Sequence, residues 1–395
     1  MYSTWYSYTQ SITAKAALKE CKKAVKLGMK TIIVDDGWQT LHANGTYDRC
    51  GDWEPVRSKF YDMAKFVENV HALGMKVMLW YSVPFMGWYA KKYKEFEGMY
   101  LNDIPGCGCS VLDPRYKKVR EYLVNTYVEA AKKWKLDGFK LDFIDRFATN
   151  GKVTPEMDFI SVEDAVECLL SEIHSALTKM NPECMLEFRQ PYYGPVVGAY
   201  GNMMRVWDCP LDGVTNKTWS TNLRLVLPDT AIHSDMIYWS RDDSAEGVSA
   251  QLLSSLFAVP QISTRCDTIT KEHEVIIKNY LAFWNEHSAT LCDGEFRTRL
   301  TENGYGYTES TLDGEKIALA SSTAKFEVGE GIKNGYLFNI TDDKNVLLKI
   351  TNGEKYDYEV FDCTGARVTR KRLVKQSMSE IEVPFGGMLK VSLHK

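Results

Sequence analysis

Apolar residues recur along most of the chain in two alternating rhythms. Between 13 and 27 they fall at helical spacing (Ala16, Ala17, Leu18, Cys21, Ala24, Val25), Gly28 follows, and 29–34 is an apolar run. Residues 60–73 repeat the helical pattern (Phe60, Met63, Phe66, Val67, Val70), with Gly74 and a second apolar run at 75–81. The letters repeat too: Leu27-Gly28-Met29-Lys30 and Leu73-Gly74-Met75-Lys76. The same rhythm predicts helices over 115–134, 161–180, 213–227, 245–257 and 270–286, and strands over 138–143, 184–188, 203–207, 230–233 and 259–263. Residues 5–8, rich in aromatics, read as the first strand. Helix, glycine cap and buried strand in repetition describe βα units around a parallel sheet. About eight such units in residues 1–292 predict a (β/α)8 TIM barrel. A doubly wound open sheet fits less well, because no Gly-rich phosphate loop follows any strand.

Beyond residue 292 the pattern changes. Short alternating runs at 316–320, 335–340, 345–350, 356–362 and 388–393 are separated by Asp313-Gly314, Asn334-Gly335, Asn352-Gly353 and Gly386-Gly387. Residues 293–395 are therefore expected to form a C-terminal antiparallel β-sandwich, an α/β chain overall. No chemistry is visible in that part.

The polar residues of the first part cluster at predicted strand ends: Asp35-Asp36-Gly37-Trp38, Trp80, Lys140 with Asp142, Glu187 with Arg189, Arg205 with Trp207-Asp208, and His233 with Asp235. In a barrel those ends converge on one face, where active sites lie. Lys140 and Asp142 are two apart on a strand and so share a side, a costly burial unless they pair or bind something.

Composition narrows the chemistry. With 45% hydrophobic and 25% charged residues the chain reads as globular, and a net charge of −4 gives no footprint for nucleic acid or an acidic membrane. The chain has no apolar stretch long enough for a transmembrane helix. The 7 histidines do not cluster and the 10 cysteines lack metal spacing, so no metal is expected. Cys107-Gly108-Cys109 reads as free thiols in a loop. No G-x-S-x-G elbow is present. Paired carboxylates, hydrogen-bonding cations and tryptophans are what glycoside hydrolysis uses. Asp142 suits the nucleophile, kept ionised by Lys140. Asp208, among Val206, Trp207, Cys209 and Pro210, suits the acid/base if those neighbours raise its pKa; Asp212 is the competitor. Asp113 reads as the cap of the following helix, and His233 as a hydrogen-bonded core residue.

These residues carry a resemblance. Asp35-Asp36-Gly37-Trp38, Gly51-Asp52-Trp53 followed by Lys59-Phe60, Leu79-Trp80, Lys140-Leu141-Asp142 and Asp208 are similar, in order, to the motifs of the family 36 α-galactosidases, relatives of family 27. The resemblance covers essentially the whole predicted barrel. It implies a retaining exo-α-galactosidase with Asp142 as nucleophile, Asp208 as acid/base and no cofactor. It implies that Asp35 and Asp36 hold the galactosyl 4- and 6-hydroxyls and Lys140 the 3- and 4-hydroxyls. Trp80 would wall the ring, Trp38 and Trp53 would shape the pocket, and Arg205 and Arg189 would stand near the 2-hydroxyl. The family's turn after the fifth strand is replaced here by Arg189-Gln190-Pro191-Tyr192-Tyr193-Gly194-Pro195, which keeps an α-N-acetylgalactosaminidase and a raffinose-synthase-like transferase as alternatives, and the unusual Val206-Trp207-Asp208-Cys209-Pro210 surroundings keep a non-catalytic sugar-binding protein. The expected partner is a small-molecule or oligosaccharide substrate, with no nucleic acid and no membrane; a homo-oligomer stays open. The family's N-terminal β domain is not in this sequence, and any signal peptide is expected upstream, for a cytoplasmic or periplasmic protein.

Overall fold

The repeated helix and strand pattern folds as a curled parallel sheet wrapped by helices. The computed structural model describes residues 1–149, 151–302, 304–374 and 377–394, without the Lys371 side chain. The first part contains β1 (Tyr2–Ser3), α1 (Trp5–Tyr8), α2 (Ala14–Leu27), β2 (Thr31–Val34), α3 (Met63–His71) and β3 (Lys76–Ser82). Then come β4 (Phe85–Gly87), β5 (Tyr100–Ile104), β6 (Cys109–Leu112), α4 (Lys117–Trp134), β7 (Gly138–Asp142), α5 (Val162–Met180) and β8 (Met185–Arg189). They are followed by α6 (Pro195–Gly198), β9 (Met203–Arg205), α7 (Gly213–Val226), β10 (Ala231–His233), α8 (Ala245–Leu253), α9 (Lys271–Glu286) and α10 (Ser288–Asp293). The rest is β: β11 (Glu295–Thr301), β12 (Gly304–Leu312), β13 (Glu315–Ala320), β14 (Lys325–Val328) and β15 (Asn334–Asn339). It ends with β16 (Asn345–Ile350), β17 (Tyr356–Phe361), β18 (Arg367–Leu373), β19 (Met378–Glu382) and β20 (Gly387–Leu393).

Side-chain caps start the helices where the sequence offers them. Thr13 accepts from the Ala16 amide, Asp62 from Lys65, Ser161 from Asp164 and Thr270 from His273. Each such cap is worth roughly 1 kcal/mol. Gly28, at φ 102°, closes α2 in the left-handed conformation expected of it. Gly138 caps no helix. Lys135, at φ 55°, closes α4, and Gly138 opens β7 where a Cβ would lie 2.3 Å from the Met185 carbonyl oxygen.

The parallel sheet runs β1-β2-β3-β7-β8-β9-β10. Its register sets functional residues side by side: Trp80 pairs with Lys140, Ser82 with Asp142, Lys140 with Glu187, Arg189 with Arg205, and Arg205 with His233. The segment expected as a strand at 259–263 forms no named strand. It makes isolated parallel bridges instead, Val259 to His233 on one side and Ile262 to Tyr2 on the other. Two further expectations about the first part fail. Residues 5–8 are helical, not a strand: the buried Tyr2 and Ser3 take the strand positions, and the half-buried aromatics that follow form a turn of helix at its end. Their β propensity is overridden by where burial is available. The Cys107–Cys109 stretch is not all loop either. Cys109 is buried on β6, in a three-stranded antiparallel sheet of β4, β6 and β5 that interrupts the repeat.

The β-rich part has a seven-stranded sheet, β11-β12-β13-β15-β20-β17-β18, and a three-stranded one, β14-β16-β19. Its own apolar cluster draws Phe326, Val328, Val346, Leu348 and Ile381 from the smaller sheet and Ala318, Leu337, Val360, Leu389 and Val391 from the larger. The sheets are mixed, not purely antiparallel as expected, because β13–β15 and β14–β16 pair in parallel. Helix α7 ties the two parts together: Lys217 donates to the Tyr305 carbonyl at 2.8 Å and Arg224 to backbone carbonyls around α10. Among the described residues no helix is long and apolar enough to cross a membrane.

Candidate active site

The charged residues singled out in the sequence stand at the C-terminal ends of the parallel strands, and they pair there in separate clusters: Asp35 with Lys140, Asp142 with Arg189, Glu187 with His233, and Arg205 with Asp208 and Asp235. Asp142 closes β7. Its Oδ2 accepts from the Trp80 indole at 2.9 Å, and its Oδ1 from the Phe143 amide at 2.8 Å and from Arg189 Nε at 2.5 Å. Burial raises the pKa of this carboxyl, but the charges of Arg189 and Lys140 and the bond from Trp80 outweigh it, and Asp142 lies below the usual carboxylate range. A buried carboxylate that accepts three donors and stays ionised is equipped to attack an electrophilic carbon.

Lys140 does not pair with its strand neighbour Asp142. Its ammonium bonds Asp35 Oδ2 at 2.7 Å, from β2 to β7 across the curl of the sheet. Asp35 Oδ1 in turn accepts the Asp36 amide at 2.9 Å. Asp36 is held by two amides that sequence reasoning missed: Gln10 Nε2 at 2.7 Å and Gln39 Nε2 at 2.6 Å. Burial pushes the Asp36 carboxyl up to about 6, the two amides pull it down, and Asp35 and Asp142 add to the rise. The turn after Asp36 needs Gly37: φ is +122° and a Cβ would sit 2.6 Å from the Gln10 Cα. Lys59 locks this turn from outside by donating to the carbonyls of Gln10 (2.6 Å), Gly37 (3.1 Å) and Thr40 (2.6 Å). Gln39 directly follows the Asp-Asp-Gly-Trp motif and was readable from that; Gln10 gave no signal.

On the far side, Arg205 closes β9 and bridges two carboxylates. Nη2 bonds Asp208 at 2.8 Å and Nη1 bonds Asp235. Asp235 also accepts from Tyr6 Oη at 2.8 Å and from the Cys209 amide at 2.7 Å. The expectation that apolar neighbours raise the pKa of Asp208 is overturned. Asp208 keeps 42% of its side chain exposed; partial desolvation pushes its pKa up, but Arg205, with Lys140 and Arg189, outweighs that and lowers it to about 2. The cations closing on Asp208 in space, not Val206 or Pro210 beside it in sequence, set its charge. Lys140 and Arg189 act on both Asp142 and Asp208, so the two carboxylates share one electrostatic environment.

Asp212 is not a competitor: it is exposed and caps α7, accepting the Thr215 amide at 2.9 Å. Asp113 is not the N-cap of α4, a position Tyr116 takes; the Asp113 carboxylate accepts the Arg115 amide at 3.0 Å. It forms a buried ion pair with Arg115 at 2.7 Å. His233 is buried and bonds Glu187 at 2.7 Å inside the sheet, as a core histidine should.

The tryptophans divide. Trp80 bonds Asp142 and stacks on Tyr47 at 6.0 Å between ring centroids, beside Phe143. Trp38 stands behind Trp80 in a supporting position. It is wholly buried, its indole donates to the Trp80 carbonyl at 3.0 Å, and it presents no surface to a ligand. Trp53 is also almost buried and packs against Tyr81 at 4.6 Å. Arg189, placed near the 2-hydroxyl by resemblance, contacts Asp142 directly and lies 5.2 Å from the Phe143 ring.

No family model matches the chain. Over 129 residues it is 32% identical to α-galactosidase Mel36A of Lactobacillus acidophilus, a span of 31% of this chain and 17% of that protein. Over 127 residues it is 28% identical to α-galactosidase 1 of Pediococcus pentosaceus, 30% of this chain and 17% of that one. The whole chain superposes on the GH36 α-galactosidase AgaA of Geobacillus stearothermophilus with a TM-score of 0.71 at 14% identity, covering 55% of that structure. A variant of AgaA solved in complex with raffinose gives 0.70 at 13% identity, again over 100% of this chain and 55% of that one. The chain thus spans about half the length of these structures and under a fifth of the curated relatives. In fold over its full length, and in sequence over about a third of it, the chain resembles the GH36 α-galactosidases.

Proposed function

We propose that the chain is a retaining exo-α-galactosidase, with residues 1–292 forming a (β/α)8 catalytic barrel and 293–395 a β-sandwich. The bridges of Val259 and Ile262 to both edges of the parallel sheet support counting 259–263 as the eighth stave. The observation that carries the function is the Asp142 carboxylate, buried, ionised and bonded by Trp80 and Arg189 at the end of β7.

In this reading Asp142 attacks the anomeric carbon as Asp208 protonates the leaving oxygen, and water then releases galactose with Asp208 as base. The ionised Asp208 matches the second step. For the first step it must carry a proton, which requires the substrate to loosen its bond to Arg205; Asp235 stands ready to keep that guanidinium paired. The adjacent carboxylates Asp35 and Asp36, with Lys140, would grip the hydroxyls that distinguish galactose from its epimer. A polar site left unpaired by the wrong epimer rejects it strongly. Raffinose and stachyose, bound in the GH36 neighbours, are the substrate class to try first.

The test is turnover of nitrophenyl α-galactoside, with Asp142→Ala as control. Unchanged turnover in that variant removes the mechanism. A second reading, a sugar-binding protein on the same fold, is favoured by the ion pair that holds Asp208 charged. Galactose binding by calorimetry, without hydrolysis of any α-galactoside, would select it.

A further inference from the structure

We propose that Trp207 forms a second saccharide subsite, outside the galactosyl pocket, on which the leaving-group sugar stacks. The subsite rests on the galactosidase reading above and names the part of the substrate that reading leaves open: an aglycone with an apolar pyranose face.

The residue is unusual in its setting. Val206 before it is fully buried, yet Trp207 keeps 46% of its surface exposed at the edge of a buried charged site. Its backbone is fixed, because its amide donates to Gln190 Oε1 at 3.0 Å and Gln190 is itself buried. Its ring is placed as well. The Arg189 guanidinium lies 5.7 Å from the indole centroid, and the same guanidinium holds Asp142 at 2.5 Å. The indole therefore stands one guanidinium away from the nucleophile and next in the chain to Asp208, the group that meets the leaving oxygen. A rigid, half-exposed aromatic face at that position offers apolar area and an ordered surface at small entropic cost. The competing role is mechanical, with the ring clamping Arg189 through its π face.

The two roles separate in kinetics. A clamp acts through Arg189 on Asp142 and so on every substrate alike. A stacking platform acts only where a second ring is present. The experiment measures kcat/KM for raffinose and for α-galactosyl fluoride, which has no second ring, and compares their ratio in wild type and Trp207→Ala. The expected ratio falls roughly three- to ten-fold, through the KM for raffinose, and Trp207→Tyr restores most of it. Trp207→Gln serves as a second truncation should the alanine variant fail to fold. A ratio that stays at the wild-type value overturns the subsite and leaves the clamp. Wild-type turnover of the fluoride but not of raffinose also overturns the subsite and spares the galactosidase reading. Turnover of neither overturns both.

Discussion

Trp80 donates its indole N–H to Asp142 at 2.9 Å from the neighbouring strand, where the register sets Ser82, not Trp80, opposite that carboxylate. The long side chain reaches forward along β3 to touch the end of β7. Trp80 is itself only 2% exposed and packs against Tyr47 and Trp53, so it holds charge on Asp142 and presents no open face, contrary to the ring wall expected of it. Replacing it by phenylalanine keeps the ring and removes the donor. Trp80→Phe is expected to raise the Asp142 pKa, because the charged form loses a donor. The acid limb of kcat/KM for nitrophenyl α-galactoside then moves to higher pH, and a pH-rate profile reads it.

Arg205 and Asp235 are buried together, and each is costly alone. Arg205→Gln leaves Asp235 without its cation, and stability should drop by about 3–5 kcal/mol. Adding Asp235→Asn should recover part of that loss, a coupling that urea midpoints of the two single variants and the double variant measure. The same substitution frees Asp208. Its pKa, now about 2, should rise, and the alkaline limb of activity should move upward with it.

Asp36 gives the fold its own pH signature. Burial raises its carboxyl from 3.8 to about 6, so the folded state binds a proton more tightly than the unfolded state does. The stability from this group is present below pH 3.8 and is lost as pH rises toward about 6. Asp36→Asn removes that slope. Urea midpoints across this window should fall with rising pH more steeply in wild type than in the variant.

Lys59 touches no candidate catalytic group, yet its ammonium holds three carbonyls around the Asp36 turn. Lys59→Met should cost roughly 2–3 kcal/mol of stability, because buried acceptors lose a charged donor. The turn that carries Asp36 should loosen as well. A KM for galactosides that rises more than kcat falls would show that the loss reaches the site through position alone.

Local sequence settled what depends on local spacing. The 3.6-residue rhythm of 13–27 and 161–180 fixed α2 and α5, and a Thr or Ser at the right offset fixed where they begin. The repeated glycine and apolar run fixed the order of the parallel strands, and so put Asp35, Asp142, Arg189 and Arg205 at one end of the sheet. Strand propensity alone misled at Trp5–Tyr8, where the aromatics had no buried strand position to fill.

Which charges meet was beyond the sequence. Lys140 and Asp142 share a strand face, but the curl of the sheet gives Lys140 to Asp35 and leaves Asp142 to Arg189 and Trp80. The apolar letters around Asp208 promised a protonated acid, whereas Arg205 keeps it charged. Backbone periodicity is a property of neighbours along the chain. Ionisation follows from neighbours through space, and only the curled sheet decides who they are.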